Sequence, residues 1–182
     1  MRIIAGQFKG HRLVAFKANH IRPTTDRVKE SLFNRLQGDV PGAKVLDLFS
    51  GTGSLGLEAL SRGAERVQFV DSHAKSIAIL KKNVDLLKVE SSVSITQMDV
   101  CQFLKTLQSP FELIFIDPPF TNKMADTVMQ CLAESAAFHT ETIVAIESSH
   151  QETIKDEYLS LTLLDRKEFG DKTLSLFQKK EG

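Results

Sequence analysis

Downstream of residue 43, short apolar runs alternate with stretches in which apolar residues recur every third or fourth position. The runs at 44–49, 66–71, 93–98, 112–117, 142–148, 162–169 and 173–179 read as seven strands. Helical periodicity fills the gaps between the first five. It is clearest over 74–88, where Ile77, Leu80, Val84 and Leu87 fall on one face and Lys81, Lys82, Asp85 and Lys88 fall elsewhere. Strands that alternate with helices predict an α/β chain with a mostly parallel sheet covered on both faces. Only Gly170-Asp171 and adjoining residues separate the last two runs, too few for a parallel crossover, so the final pair is expected as an antiparallel hairpin. Upstream, 2–9 and 12–16 read as two strands joined at Gly10-His11, followed by a helix over 24–36. In that helix Val28, Leu32, Phe33 and Leu36 share a side, with Thr24, Thr25 or Asp26 as its cap after Pro23.

A length of 182 residues suits one core with a small appendage, divided here at 1–41 and 42–182. The composition is that of a globular protein, with 42% hydrophobic and 25% charged residues. No long apolar segment follows Met1-Arg2-Ile3-Ile4-Ala5-Gly6, so the expectation is a cytoplasmic chain with no membrane partner. Cys101 and Cys131 lack CxxC spacing and the histidines are scattered, which predicts reduced thiols and no metal. The zero net charge hides an asymmetry. Residues 1–41 hold eight Lys/Arg against three Asp/Glu, a balance of +5, and the remaining 141 carry 15 against 20, or −5. Phe8 and Phe16 are interleaved with Lys9, Arg12 and Lys17, a pattern that suits a nucleic-acid backbone as well as it suits a solvated basic hairpin.

Two constellations carry chemistry. Val45 through Gly56 is a strand running into a glycine-rich turn, Gly51-Thr52-Gly53-Ser54-Leu55-Gly56, and then a helix. Such a turn brings a ligand close to backbone amides, and read literally it is GxGxxG, with Asp71 where an acidic ribose ligand falls. NAD is therefore one candidate. Asp47, just ahead of the glycines, would repel a pyrophosphate and suit the ammonium and sulfonium charges of S-adenosylmethionine, although a structural strand-end Asp stays open. Phe49, Gly51, Gly53 and Asp71 complete the candidate cofactor set. Asp99 is expected either to hold an adenine amino group beside Val100 or to cap the helix starting there. The second constellation, Asp117-Pro118-Pro119-Phe120, follows the apolar run Leu113-Ile114-Phe115-Ile116. It places a carboxylate, a stiff turn and an aromatic ring at a strand end, suited to a planar exocyclic amine.

With these residues in place, the chain resembles the class I S-adenosylmethionine-dependent methyltransferases over almost its whole length. More narrowly it resembles the bacterial RsmD-type guanine-N2 methyltransferases of 16S ribosomal RNA. Four ordered blocks carry the likeness: Gly6 to Leu13, Arg22 to Asn34, Asp47 to Ala64, and Asp117 to Phe120. Where many relatives have Glu at the end of the second strand, this chain has Asp71. The resemblance implies a Rossmann-like seven-stranded sheet with an antiparallel last strand. It further implies S-adenosylmethionine as cofactor and methylation of small-subunit RNA at guanine 966 during ribosome assembly. It casts Asp117, Pro118 and Phe120 as the groups that hold the target base. Lys9, Arg12 and Lys17, with Arg22, Thr24 and Arg27, are the candidates for RNA contact, and a monomer is the expected state. Three other readings stay open: an adenine-N6 methyltransferase, an NAD-dependent oxidoreductase, and a non-catalytic RNA-binding assembly factor.

Overall fold

A computed structural model describes residues 1–16, 26–120 and 124–180. The order is α1 (Asp26–Arg35), β1 (Lys44–Leu48), α2 (Ser54–Ser61), β2 (Arg66–Asp71), α3 (Ala74–Leu87), β3 (Val93–Gln97), α4 (Val100–Thr106), β4 (Phe111–Ile116), α5 (Ala125–Ala133), β5 (Phe138–Ser149), β6 (Glu157–Tyr158), β7 (Leu161–Phe169) and β8 (Lys172–Lys179). One sheet runs β3-β2-β1-β4-β5-β8-β7-β6. The first five are parallel, and β8 inserts antiparallel between β5 and β7. The expected α/β architecture is therefore present, with one more strand than the seven expected. The addition, β6, is two residues long and shows no alternation that a sequence pattern could reveal. Also, β5 begins at Phe138, ahead of the expected start at 142.

Alternation along the strands separates two apolar layers. Val45, Leu113, Phe115, Ala145, Leu174 and Leu176 face one layer, built with α1, α2, α3 and the amino-terminal arm. Leu46, Leu48, Ile114, Ile116, Val144 and Ile146 face the other, built with α4 and α5. Ile77, Leu80, Val84 and Leu87 are buried as the α3 periodicity requires. All eight residues of α2 are buried, because sheet, α1 and arm enclose it.

The arm departs from the expected two-stranded hairpin. Only Arg2 and Arg12 form a bridge, although Ile3 N–H donates to His11 O (3.0 Å) and Gly10 N–H to Ile3 O (2.9 Å). Four of the arm's other amides turn to α2 instead. Ile4 and Ala5 N–H donate to the Glu58 carboxylate (2.8 and 3.0 Å), Gln7 N–H to Ser61 O (2.8 Å) and Phe8 N–H to Ser61 Oγ (3.0 Å). Gly6 makes this contact feasible: its φ is +83°, and a Cβ there would meet Ser61 O at 1.7 Å. The proposed caps Thr24 and Thr25 lie outside the described residues, as do Lys17 and Arg22.

The thiol expectation is corrected. Cys101 of α4 and Cys131 of α5 form a disulfide with a Cα–Cα distance of 5.6 Å. Thirty positions separate the two in sequence, and only the packing of α4 on α5 brings them together. Among the described residues no helix is long and apolar enough to cross a membrane.

Candidate active site

At the carboxyl edge of the parallel strands, β1 ends and the chain reverses through Phe49 to Gly53. Phe49 has φ +58°, rare for an aromatic residue, while Gly51 and Gly53 have φ +54° and +83°. Gly53 also needs its missing side chain for space, since a Cβ would sit 2.4 Å from Leu80 Cδ1. At Gly56 a Cβ would come within 2.4 Å of the Phe69 ring, so this glycine serves helix-on-strand packing. The turn is tied down by Asp71, whose Oδ2 accepts Gly51 N–H (2.8 Å) and whose Oδ1 accepts His73 N–H (2.8 Å). Each oxygen keeps a second lone pair for a ligand hydroxyl. Ser50 Oγ is buried in this turn with no hydrogen-bond partner, a polar atom suited to a bound group. The open glycine backbone, the Asp71 oxygens and this orphaned hydroxyl together fit an adenosine-type ligand.

Asp47 is 2% exposed and accepts Gly56 N–H at 2.9 Å, so it fastens the start of α2 to β1. Burial pushes its carboxyl well above the ordinary carboxylate range; the Gly56 bond opposes this, and the charges of Asp117 and Asp71 add to it. Asp47 thus has the structural task left open above, and a bound cation would relieve its crowding. Asp99 is exposed and caps α4 by accepting Gln102 N–H (3.0 Å), which is the second of its two expected roles; Val100 beside it is 2% exposed.

Asp117 follows β4 directly, and its N–H donates to Leu48 O at 3.4 Å, bringing the Asp117-to-Phe120 turn beside the end of β1. Asp117 and Phe120 are half-buried, Pro118 is buried and Pro119 is exposed. The two constellations, some 60 positions apart in sequence, therefore meet at one edge because β1 and β4 are sheet neighbours. Lys9, Arg12 and Arg27 are exposed cations on the arm and on α1. Phe8 is half-buried against the core and edge-on to His11 (6.1 Å), so it is not a free stacking surface.

Three groups carry no sequence signal as site residues. Asn83 of α3 is wholly buried; its side-chain amide donates to Thr52 O (2.9 Å) and Val14 O (3.0 Å), and its oxygen accepts Val14 N–H (2.7 Å). It links arm and glycine turn, and looks in sequence like one more polar position of an amphipathic helix. Glu147 and Lys172, paired and buried at the same edge as Asp117, read only as ordinary strand residues.

The strand order, with its antiparallel member next to β5, defines a Rossmann-like class I methyltransferase fold. Within that class, the chain belongs to the family described as Conserved hypothetical protein 95, which matches residues 1–178. It is 36% identical to the ribosomal RNA small subunit methyltransferase D of Haemophilus influenzae over 98% of this chain and 93% of that one. A Bacillus subtilis protein named putative rRNA methyltransferase YlbH is 31% identical, over 99% of this chain and 100% of its own. Among solved structures, the putative methyltransferase yhhF from Escherichia coli superposes with a TM-score of 0.88 at 30% identity, covering 99% of this chain and 98% of that one.

Proposed function

We propose that this chain transfers a methyl group from S-adenosylmethionine to the exocyclic N2 of a guanine, guanine 966, in small-subunit ribosomal RNA. The observation that carries this reading is the juxtaposition at the sheet's carboxyl edge. An amine-handling turn with Asp117 and Phe120 stands beside a glycine turn with unspent acceptors. The relatives named as ribosomal RNA methyltransferases support the RNA substrate. Asp71 and the glycine backbone hold the adenosine half of the cofactor, and Asp47 faces its positive charges. When bound, the cofactor supplies an electrophilic methyl carbon. What remains for the protein is alignment.

Guanine N2 is a weak nucleophile because its lone pair is delocalised into the ring. Asp117 and the Pro118 carbonyl accept its hydrogens, favouring a pyramidal nitrogen, and Asp117 receives the departing proton directly or through water. Phe120 stacks on a base drawn out of the RNA, at an unstacking cost of about a few kcal/mol. Residues 1–41 form the RNA-contacting unit beside the cofactor-binding unit at 42–182, with Lys9, Arg12 and Arg27 on phosphates; Lys17, Arg22 and Thr24 are further candidates for RNA contact. The molecule acts as a monomer in the cytoplasm.

The test is methyl transfer to naked and ribosome-assembled small-subunit RNA, followed by nucleoside analysis. N2-methylguanosine is the expected product. N6-methyladenosine would reassign the substrate, and no transfer to either RNA despite cofactor binding would end the proposal. Asp117→Ala is expected to abolish transfer while leaving cofactor affinity within about twofold, the signature of a group that acts on the base alone.

A further inference from the structure

The β5–β8 pair carries a buried ion pair at the active-site edge, between Lys172 Nζ and the Glu147 carboxylate, each side chain only 4% exposed. Stability gives little reason for it. A buried charge pair costs desolvation at both ends, and well-packed apolar side chains of similar size often serve as well or better. A second deeply buried pair, Lys29 with Glu58, has a visible task, because Glu58 anchors two arm amides and Lys29 donates to Arg2 O (2.7 Å). Lys172 has a different neighbour. Its ammonium lies over the Phe120 ring, 5.0 Å from the centroid.

Two further facts give this contact a direction. Ile116 pairs with Ile146, so Glu147 stands one strand across from Asp117, and alternation puts both on the face shared by Phe115 and Ala145. The lysine therefore puts a positive charge on a face that also carries Asp47, Asp117 and Glu147. Lys172 opens β8 just after Gly170 (φ +64°), and the β7–β8 turn is fixed to the end of β5 by His150 N–H donating to Asp171 O at 3.0 Å.

We infer that Lys172 is a positioning residue for the target purine: anchored by Glu147, its ammonium covers one face of Phe120, fixes the ring plane and commits the opposite face to stacking. The inference rests on the reading of Phe120 as the stacking ring. A cation on one side of an aromatic ring is attracted to its negative face and limits the tilt of the ring. A tilted ring would still admit the base, but with N2 turned away from Asp117. The lysine thus acts through Phe120 and touches neither the methyl donor nor the reacting nitrogen.

A double-mutant cycle on the full-length protein tests this, with transfer to small-subunit RNA as the readout. Lys172→Met alone removes the buried cation beside Glu147 and risks unfolding, so the working variant is Lys172→Met with Glu147→Gln, its folding checked by thermal melt. Phe120→Ala is the second arm of the cycle. The Lys172/Glu147 variant is expected to lose about 3- to 30-fold in kcat with cofactor affinity unchanged, the range of a desolvated cation–ring contact. In the Phe120→Ala background the same two substitutions should cost less than about twofold, because their effect runs through the ring. Lys172→Arg, which keeps a cation over the ring, should retain more activity than the Met variant. An equal loss in both backgrounds, or none in either, overturns the role of Lys172 and leaves the reading of Phe120 standing. Full activity of Phe120→Ala by itself overturns the stacking reading, and this inference with it.

Discussion

Asp47 shows how one buried carboxylate links fold and chemistry. In the folded chain burial keeps its proton on well above the ordinary carboxylate range. Between the unfolded value and the raised folded one, the folded state binds a proton that the unfolded state has released. Its contribution to stability is therefore fullest at low pH and is lost as pH rises through that window. A cationic cofactor favours the ionised form, so binding should release this proton and affinity should rise with pH across the same window. Each pKa unit by which the cofactor lowers Asp47 is worth tenfold in affinity. Asp47→Asn, whose amide oxygen still accepts Gly56 N–H, is expected to flatten both dependences and weaken cofactor binding by about tenfold or more. Calorimetry in buffers of different ionisation enthalpy and urea melts over a pH series measure this; an unaltered pH slope would exclude the role. Asp47 and Asp117 stood out in the sequence because one lies just ahead of a glycine-rich turn and the other directly follows an apolar run. Asn83, Glu147 and Lys172 did not, because nothing local distinguishes a buried polar residue from an exposed one.

At the scale of elements, α2 joins the glycine turn to the arm. Glu58 is wholly buried, pairs with Lys29 (3.3 Å) and Arg62 (2.8 Å), and accepts two arm amides. Arg62 in turn lies 4.8 Å over the Phe33 ring of α1. Burial lowers the Lys29 pKa, and Glu58 is the main group that raises it again. Glu58→Gln is expected to cost about 3–5 kcal/mol in urea unfolding, the usual result of leaving one partner of a buried pair. Adding Lys29→Met should recover part of the loss. A cost below about 1 kcal/mol would show that the arm docks without this carboxylate. The helical periodicity over 24–36 predicted Val28, Leu32, Phe33 and Leu36 as the buried side, and all four are buried, but it gave no hint of Lys29 among them. A lysine on an apolar face is read from sequence as snorkelling to solvent, and only the carboxylate of α2 makes its burial tolerable. Likewise the arm's alternation suggested a hairpin, while its amides found better acceptors on a helix more than fifty positions away.

For the whole molecule, the Cys101–Cys131 bridge ties α4 to α5 on the face opposite the arm. Closing a loop of this length restricts the unfolded chain, and loss of the bond typically costs about 2–4 kcal/mol. Reductant, or Cys101→Ser with Cys131→Ser, should therefore lower the thermal midpoint by several degrees while cofactor affinity is retained, because neither residue lines the glycine turn. An equal midpoint with and without reductant would show that the bridge does not contribute in solution. The two faces of the sheet thus have separate fastenings, one polar through Glu58 and Asn83, and one covalent.

By itself the sequence determined the α/β class, the position of nearly every strand and helix, the antiparallel ending and the two motifs at strand ends. Each of these is set by local periodicity, turn chemistry or connection length, which short windows of sequence contain. Only the tertiary structure decided that β1 and β4 are neighbours, which makes one site of two motifs. It also decided that the cysteines meet, that the arm docks on α2, and that Lys172 lies over Phe120. Those outcomes depend on which distant surfaces pack together and which buried polar groups then find partners, and no local pattern encodes that choice.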